Sequence, residues 1–325
     1  FTSVENAPLL SAVAVRGQTI IAVGGEELLK RYAAETVIDL DGRFLMPGFN
    51  DSHTHIRPRP GRYMELTGLK SIRELKLALA EKVRDLGPGE WIVGYGWSED
   101  VFLEGRRPLR TDLDEVAPNN PVVLSRAGGH SAVANSMALD VGDLKEDSPD
   151  PANGTLERGK DGLLNGIIRE RQDVLLQHVP PSTTAELVDS LEADLRRNLA
   201  FGITSVTDAT TSFAQYESLW KTVYERAGDT LPRATVQVHP DLRRNGLQEA
   251  MVDLTTFGHR MGEGDNRLKV GPLKIYVDGG FTGPAAWTLE PYRSDQNYFG
   301  KPAVNIEDMY ELLKFGHANG WQFGI

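Results

Sequence analysis

The chain has 325 residues, with 35 Lys and Arg against 46 Asp and Glu for a net charge of −11, 40% hydrophobic residues, 33 Gly, 18 Pro and no Cys. This is globular composition for one large α/β domain or two smaller ones at roughly 100–200 residues each, and it excludes disorder, collagen-like structure, disulfides, thiolate metal sites and a cysteine nucleophile. The acidic balance without a dense Lys/Arg run argues against nucleic acid as a partner, and no apolar stretch approaches the ~18 residues of a membrane span or follows a signal-peptide order, so a cytoplasmic protein away from membranes is expected.

In chain order, Leu9 to Val23 gives two β-rich runs around Arg16-Gly17-Gln18, a hairpin with Gly at the turn, so that Phe1 begins inside an element. Val37 to Leu40 and Phe44 to Gly48 read as a second strand pair around an Asp41-Gly42 turn. Together they make a small β-module over residues 1–47 that feeds a domain over 48–325. Ser71 and Glu74 form a capping pattern for a helix to Leu86, and Thr183 and Glu186 cap another whose apolar stripe is Leu187, Leu191, Leu195 and Leu199. A third helix runs from about Ile306 to Asn319, with Gly320 as its stop. Buried strands are expected at Ile203–Thr207, Ala234–Val238, Leu273–Val277 and Trp321–Ile325, and this alternation with helices argues a parallel α/β architecture. The stretch from His55 to Ile203 exceeds one strand–helix unit, so a large insertion is expected at about 90–180. It contains Trp91 to Gly96, Pro121 to Leu124 and a β-ribbon between Asn153 and Glu170.

His53-Thr54-His55 is the sharpest chemical signal. Residues two apart on a strand face the same side, so Asp51, His53 and His55 project together, and neighbouring neutral imidazoles can bind one metal ion. With no Cys in the chain, any metal must use His, carboxylate or modified Lys.

The segment from Leu40 to His55, with Pro47-Gly48-Phe49-Asn50-Asp51-Ser52-His53-Thr54-His55, resembles the amidohydrolase superfamily, in which β-sandwich strands lead through a Pro-Gly step and an H-x-H into the first barrel strand. The resemblance implies a TIM-like (β/α)8 barrel with a small N-terminal β-sandwich module and a large insertion after the first barrel strand, and a metal held at the carboxyl ends of the strands. Gly202 to Asp208 looks like the second barrel strand, and Leu273 to Gly280 like the fourth, where many members carry a lysine carboxylated by CO2 that bridges two metals. Lys274, Tyr276 and Asp278 fall on one face and Leu273, Ile275 and Val277 on the other. A buried lysine is costly as a cation and CO2 adds to the neutral amine, so Lys274 is a metal-ligand candidate beside His53 and His55, against the alternative that its ammonium pairs with Asp278 or reaches solvent.

Gly94-Tyr95-Gly96-Trp97, Glu104 to Pro108, Leu113-Asp114, Pro118 to Leu124, Gly129 to Ser136 and Gly162 to Glu170 resemble, in order, the branch that contains N-substituted formamide deformylases. Gly128 departs from it, since the branch usually has Asp there. The candidates for substrate contact are His130, Trp97, Asp278 and His239, each with a structural alternative: a loop His bonded to backbone, a core Trp, a partner for Lys274, and a solvated His at a strand end. His178, His259 and His317 are assigned no chemistry, and Gly94 to Glu99 lacks the third Gly of a dinucleotide fingerprint.

The resemblance implies hydrolysis of a C–N bond in an amide or formamide by metal-activated water, with one or two divalent ions, Zn2+ foremost, and a small amide-type substrate. Two further His ligands and the catalytic Asp would come from later strands, the Asp beyond residue 325, so the chain is expected to be part of a longer protein. The alternatives are hydrolysis of cyclic amides or esters, a non-catalytic scaffold on the same barrel, and, last, a carbohydrate- or phosphate-handling barrel that leaves the H-x-H unexplained. The sequence leaves oligomeric state open, with a homodimer as the commonest arrangement.

Overall fold

A computed structural model describes residues 10–152, 154–279, 286–293 and 296–325. Phe1, Leu9, Asn153 and Gly280, named above at the ends of expected segments, lie outside the described residues. Its strands are β1 (Ala12–Arg16), β2 (Thr19–Gly24), β3 (Phe49–Thr54), β4 (Tyr63–Glu65), β5 (Ile92–Trp97), β6 (Val122–Arg126), β7 (Ser131–Ala134), β8 (Thr155–Arg158), β9 (Leu164–Arg169), β10 (Ile203–Thr211), β11 (Arg233–Val238), β12 (Leu268–Lys274) and β13 (Phe323–Gly324). The fold is mixed α/β and divides into two units.

The first unit comprises Phe1–His55, Leu195–Tyr216 and Ala227–Ile325. β1 and β2 form the expected antiparallel hairpin, with Gly17 at φ +56° in its turn. The second expected pair forms only its turn. Asp41 and Gly42 both take positive φ, 51° and 72°, and the Arg43 N–H donates to the Leu40 carbonyl at 2.9 Å. Yet residues 35–48 carry no strand among the described residues, and Val37 and Ile38 are exposed. A turn is satisfied by its own four residues, whereas a strand needs a ladder partner, which local sequence does not specify.

The rest of this unit is a parallel sheet in the order β3-β10-β11-β12-β13. Each strand lies beside the next one of its unit: Asp208 pairs with Thr54, Val206 with Ala234, Val236 with Val270 and Leu273 with Phe323. A doubly wound sheet would reverse this order at a switch point, and here it never reverses. All five carboxyl ends therefore share one edge. The helices Leu242–Thr256 and Ile306–Ala318 cover a core of Leu242, Ala250, Ile275, Met309 and Leu312. Asn305 caps the second helix by accepting the N–H groups of Glu307 and Asp308, and Gly320, at φ +83°, follows its end as expected.

Two strands are shifted from expectation. β12 occupies Leu268–Lys274 rather than Leu273–Val277, because the ladder with β11 begins at Leu268, while past Ile275 the backbone turns away and the Val277 carbonyl accepts from the Ala303 N–H at 2.6 Å. β13 is confined to Phe323–Gly324.

The second unit, Ile56–Asp194 with Glu217–Arg226, holds a six-stranded sheet in the order β4-β5-β6-β7-β9-β8, parallel from β4 to β6 and antiparallel thereafter. Alternation sends successive residues to opposite faces. Leu124, Val133 and Ile167 join one core with Leu75, Leu79, Trp97 and Leu113, while Val123, Ala132 and Ile168 join another with Leu139, Leu156 and Leu175. The helix Ile72–Leu86 starts where Ser71 Oγ accepts the Glu74 N–H at 3.0 Å. β8 and β9 are the expected ribbon.

The helix Thr184–Ala200 has the capping box read from sequence: Thr183 Oγ1 accepts the Glu186 N–H at 3.2 Å, and the Glu186 carboxylate accepts the Thr183 N–H at 2.7 Å. Its buried stripe is Val188, Leu191 and Leu195, rotated from the expected one, so that Leu199 is exposed. No helix among the described residues is long and apolar enough to cross a membrane.

Candidate active site

His53 lies on β3 and His55 one residue beyond it. The spacing of two works as the alternation predicts: the imidazole centres are 5.4 Å apart, edge to face at 82°, and both residues are exposed at the shared edge. Asp51 is half-buried, and its Oδ1 accepts the His53 N–H at 3.2 Å, so this carboxylate braces the backbone that carries the first imidazole.

Across the sheet, Lys274 ends β12 with 9% of its surface exposed. Among the described residues no carboxylate lies within ion-pair distance of its Nζ, which instead stands 5.1 Å from the centre of the Tyr276 ring. The Asp278 carboxylate is engaged elsewhere, accepting the Trp287 N–H at 2.8 Å, so the pairing of Lys274 with Asp278 weighed above is not formed.

His239 follows β11 and is held rather than solvated, its side chain only 14% exposed. Its Nδ1 lies 2.8 Å from the Lys274 carbonyl oxygen. A carbonyl can only accept, so Nδ1 carries the proton and, in the neutral ring, Nε2 carries the lone pair.

Asp208 and Tyr276, in this region, were not among the candidates. Asp208, wholly buried within β10, accepts the Thr211 hydroxyl at 2.6 Å and the Thr210 N–H at 3.2 Å. The Tyr276 hydroxyl is hydrogen-bonded to Thr210 Oγ1. A polar residue ending an apolar strand run was the available sign for Asp208, and a shared face with Lys274 was the sign for Tyr276.

The donor chemistry fits a divalent ion in part. Two adjacent imidazoles are a donor pair that zinc and its neighbours accept, and buried Lys274 ends another strand of the same sheet at the same edge. Among the described residues no group of three or more His, Asp or Glu side chains is drawn together.

The other two candidates belong to the second unit. His130 Nδ1 is 3.1 Å from Glu170 Oε2, with side chains 79% and 58% exposed, so it stands in solvent with an acidic partner. Trp97 is wholly buried, and its indole N–H donates to the Leu124 carbonyl at 2.7 Å. Its side chain is committed to the core.

The chain belongs to the amidohydrolase family, which matches residues 36–325. It is 31% identical to the N-substituted formamide deformylase of Arthrobacter pascens over 295 residues, 84% of this chain and 52% of that protein. It is 28% identical to the protein LONG AFTER FAR-RED 3 of Arabidopsis thaliana over 341 residues, 100% of this chain and 57% of that one. Among solved structures it resembles an uncharacterized metal-dependent hydrolase from Pyrococcus furiosus, with a TM-score of 0.66 and 25% identity, covering 97% of this chain and 62% of that one. The chain thus spans between about half and three fifths of the length of these relatives.

Proposed function

We propose that the protein cleaves a C–N bond of a small amide or formamide, on a (β/α)8 barrel to which β3 and β10 to β13 contribute the first five strands. The observation that carries this reading is the pair of imidazoles at the end of β3, 5.4 Å apart at the carboxyl edge of a sequentially ordered parallel sheet. The similarity to a formamide deformylase supports the bond type. His53 and His55 would hold the ion, zinc by preference, and Lys274, as its carbamate, would supply the bridge to a second. A bound divalent ion supplies a Lewis acid that acidifies water and polarises a carbonyl.

The chain's own residues supply the rest. Asp51 braces the strand beneath the imidazoles, and His239 presents Nε2 as an acceptor because the Lys274 carbonyl holds its other nitrogen protonated. The neutral ring can therefore take a proton, or accept a substrate N–H, at Nε2 alone.

The test is metal content per chain by plasma mass spectrometry on protein purified without chelator, followed by a panel of formamides, other amides, cyclic amides and esters. Close to two equivalents supports the bridged site, and close to one leaves the histidine pair without a lysine bridge. His53→Ala and His55→Ala should each lose most of the metal, about 10- to 100-fold in affinity at least, given what even supporting groups contribute. No metal after incubation with Zn2+ would overturn the reading in favour of a non-catalytic scaffold.

A further inference from the structure

Lys274 is nine-tenths buried, and a buried ammonium is costly unless a neighbouring group favours it. What stands against it is the Tyr276 ring, 5.1 Å from Nζ to the ring centre, and an aromatic face is the neutral group that attracts a cation. The ring is fixed on two sides. Thr210 gives its own hydroxyl proton to the Ala209 carbonyl at 2.6 Å, so in the bond between the two hydroxyls Tyr276 is the donor and Thr210 the acceptor. On the other side the His239 ring meets Tyr276 edge to face at 5.2 Å and 81°, while His239 donates to the Lys274 carbonyl at 2.8 Å. The contacts close a loop from the Lys274 backbone through His239 and Tyr276 to the Lys274 amine, tied to β10 by Thr210.

We propose that Tyr276 is the positioning residue for Lys274: its ring is the platform that holds the ε-amino group at the end of β12, and its hydroxyl is the peg that keeps the platform against β10. An aromatic face attracts an ammonium and not an anion, so the platform holds the unmodified lysine. Carbamate formation, in which the neutral amine nitrogen bonds the carbon of CO2 and releases one proton, takes the amine off the ring. The proposal rests on the functional reading above only for what Lys274 does afterwards.

The experiment is competitive labelling of the whole chain with trace acetic anhydride. Mass spectrometry of peptides reads acetylation of Lys274 against Lys314, whose side chain is 72% exposed. Tyr276→Leu, which removes the ring, should raise relative labelling of Lys274 by about tenfold, the scale of a desolvated cation–π contact. Tyr276→Phe, which keeps the ring, should stay within about twofold of the wild type, and Thr210→Val should do the same, because the platform survives loss of the peg. Circular dichroism checks that each variant is folded. If Tyr276→Leu does not fold, Tyr276→Met, flexible and without a π face, replaces it. Labelling of the ring-less variant as slow as the wild type overturns the proposal. So does Tyr276→Phe labelling as fast as the ring-less variant, which would transfer the role to the hydroxyl. The measurement needs neither metal nor turnover, so a chain that binds no metal would sink the functional reading and leave this result standing.

Discussion

His53 and His55 meet because of a period of two on a strand, and Trp97 is removed from chemistry by the same kind of local rule. Its indole fills a core and its single donor is used by the Leu124 carbonyl. Replacing it by Phe keeps most of the packing and removes that hydrogen bond, so Trp97→Phe should lower unfolding free energy by about 0.5–1.5 kcal/mol in urea titrations. KM for any amide the protein hydrolyses should stay unchanged, and a shift in KM without loss of stability would return Trp97 to the substrate. The chemistry at β3 was legible because it lies in three consecutive residues. The state of His239 was not, because the group that fixes its tautomer is the Lys274 carbonyl, brought to it by the pairing of β11 with β12.

Elements were legible where their signals are local. Ser71 and Glu74 announce a helix and cap it, and Ser71→Ala should cost about 1 kcal/mol by the same titration. The segment from Val37 to Gly48 shows the opposite case, since its turn is encoded in two residues while its strands would need a partner that no local pattern names. In the ribbon of β8 and β9, Glu157 binds Arg107 at 3.0 Å and Asn165 at 2.9 Å, and also Arg169. Burial pushes this carboxyl up, but the hydrogen bonds from Arg107, Asn165 and Arg169 outweigh it and hold its pKa below the ordinary 4.5. A depressed carboxyl stabilises the fold above the unfolded value, and that contribution fades as pH falls through the lower folded one. From about pH 7 to about pH 3 the wild type should therefore lose more stability than Glu157→Gln, the difference opening below about pH 4.5. Parallel curves would show that the pair contributes nothing.

At the scale of the whole molecule, a metal held by the folded chain and not by the unfolded one adds stability by mass action. Zn2+ at about 100 times its dissociation constant should contribute about 2.7 kcal/mol, seen as a rise in Tm that chelator reverses. His55→Ala should show no such rise. An equal rise in that variant would place the bound zinc elsewhere.

The order β3-β10-β11-β12-β13 also bears on how the protein is made. Strands β10 to β13 can add one after another as the ribosome extends the chain, but β3 must wait until everything between His55 and Ile203 has emerged. Joining β3 to β10 is the one distant closure in a sheet otherwise made of successive neighbours, and distant closures are slow. During synthesis the second unit's strands β4 to β9 can pair first, with both histidines on a strand that has nothing yet to join. The His53 and His55 pair is thus among the first side chains translated and among the last brought into the sheet, so anything that meets it during translation does so before its neighbouring strands exist.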